Sequence, residues 1–285
     1  MTRVIVRPLI LSTKHATFNL YAIGDVHKGD IGFEEETYYE ALEIIHADEE
    51  PKYIIWMGDY ASHFPKKDYR RDDRTISRKY RSVLHTYSSI RDDIRPLVNK
   101  TLTILEGNHD NDWYREEEQD FVSWICTELN VPFSPFQPED FSPYGTYESY
   151  IRLKIGARKT NSRRNLDIVA WHGGGAPRTK GGAVNVLERP AQAFPNADLF
   201  FMGHLHRHGI IPDSILGINE HDRTIIDKNR YFAFTGAFMR GYPEDASTYV
   251  SRRMLPPMGI GAVKLEIQPF YGKDERIKVK WEEIP

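Results

Sequence analysis

The run Thr101-Leu102-Thr103-Ile104-Leu105, followed at once by Glu106-Gly107-Asn108-His109-Asp110, sets the reading of the whole chain. A short stretch of strand-forming character stops at a turn that carries an amide, an imidazole and a carboxylate. Outward from it the same arrangement recurs. Leu20–Ile23 leads into Gly24-Asp25-Val26-His27, and Tyr53–Met57 into Gly58-Asp59. Further on, Leu166–Trp171 leads into His172-Gly173-Gly174-Gly175, and Asp198–Met202 into Gly203-His204-Leu205-His206. The runs are almost continuously apolar, as strands buried on both faces are.

Helical spacing fills the gaps between them. Tyr38, Leu42 and Ile45 predict a helix over about Glu34 to Ala47. Tyr80, Leu84, Tyr87 and Ile94 predict another within Arg74 to Val98, and a third spans Val184 to Phe194, kinked or split by Pro190. Alternating strands and helices mean an α/β layered fold with parallel pairing. Tyr231–Thr235, Ala262–Gln268 and Arg276–Trp281 alternate apolar and polar residues, and the last two flank Gly272 as a closing antiparallel hairpin.

Composition narrows the class. With 285 residues and 40% hydrophobic content the chain supports a packed core, which excludes wholesale disorder. One cysteine, Cys126, excludes a disulfide framework and a cysteine-based zinc cluster, and fits a reducing, cytoplasmic compartment. Val4–Leu11, broken by Arg7 and Pro8, is too short and polar for a signal-peptide core or a membrane span. The net charge of −3 hides an acidic stretch, Glu34 to Glu50, and a basic one, Lys66 to Lys100, with eleven basic residues against five aspartates. Basic surface beside a phosphate site draws in a polyanion such as nucleic acid. The alternative is a solvated helix laced by pairs such as Asp68 with Arg71 and Asp92 with Arg95. Arg158, Lys159, Arg163 and Arg164 form a second cluster in a hairpin loop. Nothing in the sequence sets the oligomeric state.

In open α/β sheets ligands bind beyond the carboxyl ends of the strands. Asp25, His27, Asp59, Asn108, His172, His204 and His206 all fall there: two carboxylates, one amide oxygen and four imidazoles. Seven donors exceed the need of one ion and suit two that share a carboxylate, about 3.5–4 Å apart. The donor mixture favours Mn, Fe, Zn or Ni over Ca and gives little reason for Mg alone. Each block by itself has a bland reading: Gly-Asp after a strand is commonly a turn, and His172 could simply end a strand.

Together, Asp25-Val26-His27, Gly58-Asp59, Gly107-Asn108-His109-Asp110, His172 and Gly203-His204-Leu205-His206 resemble the signature of the calcineurin-like metallophosphoesterase superfamily. The resemblance runs from Ile23 to His206. It implies a two-sheet sandwich flanked by helices, with residues 1–285 as a single domain and a dinuclear site at the strand ends. By motif, Asp25, His27 and His206 would hold one ion, Asn108, His172 and His204 the other, and Asp59 would bridge them, with Mn the first choice of metal. Serine/threonine protein phosphatases carry Asp-Arg-Gly and Gly-Asn-His-Glu where this chain has Asp59-Tyr60-Ala61 and a block ending in Asp110. Purple acid phosphatases place a tyrosine ligand where Ser62 stands. The motif forms are similar to those of repair nucleases and of small phosphodiesterases.

The expected activity is phosphodiester hydrolysis by a hydroxide bridging two ions. The substrate is DNA or RNA on one reading and a small nucleotide or other phosphate ester on the other; a non-catalytic metal-binding scaffold is the third. If Asn108 is a ligand, His109 diverges from it and is the candidate to protonate the leaving group. Asp110 either holds the His109 tautomer or caps the following helix. Arg207 and Arg240 are candidate phosphate anchors or plain surface residues. Segments Thr235–Gly241 and Tyr249–Gly261 are expected to form a loop over the edge of the site.

Overall fold

The computed structural model describes residues 4–68, 70–130, 147–218, 223–244, 248–271 and 276–285. Eleven strands are found among them: β1 (Val4–Leu11), β2 (Phe18–Ile23), β3 (Lys52–Trp56), β4 (Thr101–Ile104), β5 (Glu148–Ala157), β6 (Arg163–Trp171), β7 (Leu199–Met202), β8 (His208–Ile218), β9 (Ile225–Thr235), β10 (Ala262–Tyr271) and β11 (Arg276–Ile284). They form two mixed sheets, ordered β1-β5-β6-β7-β9-β8 and β11-β10-β2-β3-β4. Within the second, β2, β3 and β4 run parallel; within the first, β6, β7 and β9 do. These parallel strands all precede motif-bearing loops except β9.

The side-chain period of two explains why the runs are apolar throughout. Leu20 and Ala22 of β2, with Ile55 and Leu102, face Ile168, Leu199 and Phe201 of the other sheet in an inter-sheet core. Their neighbours Tyr21, Ile23, Ile54, Trp56 and Ile104 face outward, onto the helices α1 (Glu35–Ala47), α2 (Val83–Ile94) and those of the following segment, α3 (Asn108–Glu117) and α4 (Phe121–Leu129). On the far side, Phe200, Met202 and Phe232 pack on α5 (Lys180–Leu187) and α6 (Arg189–Ala193). The result is helix, sheet, sheet, helix: the expected α/β sandwich. A short helix α7 (Tyr249–Arg252) follows.

Several boundaries differ from the sequence expectation. The helix expected within Arg74 to Val98 starts only at Val83, where Ser82 caps it; Asp73–Thr75, Arg78–Tyr80 and Arg95–Lys100 are separate 3-10 turns. Its buried stripe is Thr86, Tyr87, Ile90 and Ile94, so Leu84, a quarter turn away, is 58% exposed rather than inward. Pro190 does split the next helix, into α5 and α6. Val4–Leu11 is an edge strand parallel to β5, a position where Pro8 is tolerated. The β10–β11 hairpin forms in antiparallel register, while Gly272 lies outside the described residues. Thr235, Ala237 and Phe238 are buried, with Phe238 against Tyr38, so that part of the expected loop is core. No helix among the described residues is long and apolar enough to cross a membrane.

One polar pair anchors the first motif to the helical layer. Lys28, directly after His27, is wholly buried; its ammonium donates to Asp93 (2.5 Å) and Ser89 (2.8 Å) of α2 and to the Tyr39 hydroxyl (3.0 Å) of α1. Removing one partner of such a pair leaves a buried charge uncompensated. Asp93→Ala is expected to lower the unfolding free energy by about 3–5 kcal/mol in a urea titration. A loss below about 1 kcal/mol would mean that the ammonium recruits water instead.

Candidate metal centre

The loops after β2, β3 and β4 are stitched edge to edge by main-chain bonds. Asp25 N–H donates to the Gly58 carbonyl (2.8 Å), His27 N–H to Asp59 (3.1 Å) and Lys28 N–H to Tyr60 (2.9 Å). The other sheet joins at Asp25, whose carboxylate oxygens accept from His204 N–H at 3.0 and 2.9 Å. Five of the seven candidate ligands, Asp25, His27, Asp59, His204 and His206, have φ between 47° and 63°. Non-glycine residues rarely adopt that left-handed conformation, and they concentrate at functional sites when they do.

Two glycines let the carboxylates sit against backbone. A Cβ on Gly107 would lie 2.1 Å from Asp59 Oδ1, and one on Gly203 would lie 2.6 Å from Asp25 Oδ2. Asp59 then uses Oδ1 to accept His109 N–H (2.8 Å) and leaves Oδ2 towards His172 Nε2 (3.4 Å) and His27 Nε2 (3.9 Å).

The donors fall into two clusters, and Asp59 lies between them, 3.9 Å from His27 of one and 3.4 Å from His172 of the other. In one, His206 Nε2 lies 3.1 Å from His27 Nε2 and 3.2 Å from Asp25 Oδ1. In the other, Asn108 Oδ1 lies 2.8 Å from His204 Nδ1 and 3.3 Å from His172 Nε2. Ligands held about 2.0–2.2 Å from one ion at near right angles stand about 3 Å apart, so both clusters fit a small divalent cation. Asp25, His27 and His206 form one compact group and Asp59, His172 and His204 another. His27, Asp59 and His109 form a third, so the His109 ring stays closer to the ligands than its neighbour's role suggested, with Nε2 4.0 Å from Asp59 Oδ2.

Each imidazole is oriented through its other nitrogen. His172 Nδ1 meets the Met57 carbonyl (2.7 Å), His204 Nε2 the Gly175 carbonyl (2.9 Å), His27 Nδ1 the Ser62 hydroxyl (3.0 Å) and His206 Nδ1 the Met258 sulfur (3.1 Å). Metal-bound histidines are commonly tied down in this way. Sequence reading missed these partners. Ser62 had entered only as the residue standing where a tyrosine would be, and Met258 comes from the segment expected over the site.

Burial holds His27 well below the usual imidazole range, helped by His109 and His206, and it lowers His204 and His109 too. Burial thus favours the neutral ring at His27 and His204, the form a metal ligand needs. His172 goes the other way: burial pulls down, but the Asp59 and Asp25 carboxylates outweigh it and carry the ring up to about 10. Asp59 is held well below the carboxylate range, because His172 and His109 overcome the opposing effect of burial.

Among the described residues Asp110 makes no hydrogen bond to His109. Its buried carboxylate accepts from Asp59 N–H (2.8 Å), Gly107 N–H (3.0 Å), Tyr60 N–H (3.3 Å) and the Tyr87 hydroxyl (2.8 Å). His109 Nδ1 is buried with no hydrogen-bond partner among the described residues. Asp110 thus serves the start of α3, close to the capping alternative. Burial, then the Asp59 charge, pushes it up to about 7. Arg240 pairs with Glu34, at 2.7 Å. Arg207 is half-buried beside His206.

Within the expected basic segment, Arg70 is paired with Asp68 and Asp112, Arg71 with Asp73, Arg74 with Asp72, Lys79 with Glu35 and Arg91 with Asp92. The Asp68–Arg71 pair is replaced by Asp68–Arg70, whereas Asp92–Arg95 forms at 3.5 Å. The second basic cluster does lie in the β5–β6 hairpin, with Arg164 near Asp198.

The four-layer sandwich brings together, at the ends of its parallel strands, Asp and His groups that could hold metal ions. The chain belongs to the calcineurin-like phosphoesterase family, whose pattern it matches over residues 18–208. That family is one of metal-dependent phosphoesterases. No curated protein matches the chain. Among solved structures it is similar to wild-type Vps29 of Entamoeba histolytica complexed with zinc, at 12% identity and TM-score 0.38, covering 94% of this chain and 99% of that one. A conserved protein of Streptococcus pneumoniae TIGR4, described as a predicted phosphoesterase, is similar at 11% identity and TM-score 0.32, with the same coverage.

The glycine beside Asp25 offers a direct check of the site's tight packing. Gly203→Ala is expected to weaken Mn binding about 10–100-fold in calorimetry while the far-ultraviolet circular dichroism is unchanged. Unaltered affinity would mean that the Asp25 carboxylate can move without cost.

Proposed function

We propose that the protein is a phosphodiesterase working with two divalent transition-metal ions, Mn foremost, and Fe, Zn or Ni as alternatives. Asp25, His27 and His206 hold one ion, Asn108, His172 and His204 the other, and Asp59 serves both. The observation that carries this reading is the closely spaced donor set, in which Asp59 Oδ2 lies 3.4 Å from His172 and 3.9 Å from His27, between the two groups. Two such ions, when bound, neutralise phosphate charge and acidify a water enough for it to act as a nucleophile at neutral pH.

The chain's own groups do the rest. The backbone bonds to Asp25 and Asp59 hold the donors in place before substrate arrives, so little reorganisation is needed. His109, with Nε2 turned towards Asp59 and its ring against Phe64 (4.8 Å between centroids), stands at the edge of the cluster. There it donates a proton to the departing oxygen, a contribution of about 10²–10⁴-fold to the rate. Arg207, adjacent to His206, is a candidate contact to phosphate.

A polynucleotide substrate is supported by exposed cations on loops that follow ligands: Lys66 and Lys67 after Asp59, Arg178 and Lys180 after His172. No ion pair involves them among the described residues. The small-substrate alternative is favoured by the pairing of most arginines in segment 66–100, which leaves that segment less cationic than its composition. A cytoplasmic location accords with Cys126, which is free and buried.

With Mn, the protein is expected to hydrolyse bis-p-nitrophenyl phosphate, and His109→Ala to lose at least about 10²-fold in kcat while retaining its metals by elemental analysis. Full activity in that variant would remove His109 from the mechanism. A panel of single- and double-stranded DNA and RNA, cyclic nucleotides and aryl monoesters separates the two substrate classes; no turnover of any of them would leave only the scaffold reading.

A further inference from the structure

The four imidazoles of the centre are oriented by two carbonyls, one hydroxyl and one thioether. The thioether is the exception. Backbone carbonyls and carboxylates are the usual partners of a metal-bound histidine, and methionine sulfur is only a weak acceptor. Met258 is nevertheless brought there by a segment tied directly to His206. Gly259 N–H donates to the His206 carbonyl (2.8 Å), the Gly259 carbonyl accepts from Ala237 N–H (2.9 Å), and Ile260 forms a parallel bridge with Ala237. A Cβ at Gly259 would lie 2.8 Å from His208 N, so this close approach needs the glycine. Immediately before Met258 stand Pro256 and Pro257, both exposed, whose fixed φ stiffens the approach. Met258 is half-buried, with Sδ 3.1 Å from His206 Nδ1.

We propose that Met258 is a positioning residue for the metal centre: its sulfur accepts the Nδ1–H of His206 and so fixes the tautomer whose Nε2 lone pair faces Asp25 and His27. Without an acceptor at Nδ1, the proton is free to move to Nε2, where it would point at His27 Nε2, 3.1 Å away, and block the position an ion needs. The proposal rests on the reading of Asp25, His27 and His206 as a cation site. It assigns a role to a residue 52 positions away in sequence from the histidine it serves.

The test pairs Met258→Leu, which keeps the volume but removes the acceptor, with Met258→Gln, which restores one as an amide oxygen. In the metal-free protein, nitrogen-15 NMR of the histidine rings is expected to show His206 as the Nδ1–H tautomer in the wild type and in Met258→Gln. In Met258→Leu it is expected as a mixture or as Nε2–H. Calorimetric titration with Mn should show one of the two ions binding about 10-fold more weakly in Met258→Leu, and recovery in Met258→Gln. Thermal unfolding of the metal-free variants should match that of the wild type. An Nδ1–H tautomer that persists in Met258→Leu would overturn the proposal. So would Mn affinity equal to the wild type, or equal weakening of both ions. If the wild type bound no Mn, the reading of the cation site would fail, and the tautomer measurement alone would still decide the part played by Met258.

Discussion

One buried carboxylate holds the centre in register. Asp110 gathers two main-chain N–H groups from the loop after β3, one from the loop after β4 and a hydroxyl from α2. These are donors that the strands have left unpaired at their ends, and buried donors without partners are costly. By satisfying them together, Asp110 sets the separation of β3 and β4 at their tips. That separation fixes where Asp59 stands, and Asp59 in turn accepts the N–H of His109. The bridging candidate, the proton donor and the start of α3 are therefore placed by a residue that touches no candidate ion.

The division of labour between the sheets follows from this frame. The β2-β3-β4 sheet supplies Asp25, His27, Asp59 and Asn108, and the β6-β7 edge supplies His172, His204 and His206. Each candidate ion site draws from both sheets, because Asp25 meets His206 and Asn108 meets His204. The inter-sheet core, from Leu20 and Ile55 to Ile168 and Phe201, is thus also the element that sets the distance between donors. Close packing of such a core resists sliding by even a methylene, so the metal site inherits its precision from hydrophobic contacts beneath it.

The sequence made the sandwich and the convergence of the candidate donors legible for a local reason: each donor directly follows an apolar run, within the few residues that a strand end spans. What it hid was long-range. Asp110 looks like the partner of His109 because the two are adjacent, yet its bonds reach Asp59, 51 positions away. Phe238 lies among glycines and looks like loop, yet it packs on Tyr38. The arginines of segment 66–100 read as a cationic stripe because their aspartates are counted only in sum. In space four of the five aspartates sit beside an arginine one or two residues away, and Asp93 pairs with Lys28. Leu84 was misplaced because Tyr80, with which it was aligned, lies in a separate 3-10 turn outside the helix.

The left-handed backbone at five of the candidate ligand positions constrains how the family member could change over time. Such a conformation costs most side chains about 1 kcal/mol or more, and glycine or asparagine little. A descendant that abandoned metal binding would gain stability by replacing Asp25, His27, Asp59, His204 or His206 with glycine or asparagine, whereas Asn108 and His172 could drift to almost anything that fits. The two kinds of ligand would then decay differently. In aligned sequences, glycines scattered over those five places would be the trace of a lost centre, readable even where no chemistry survives.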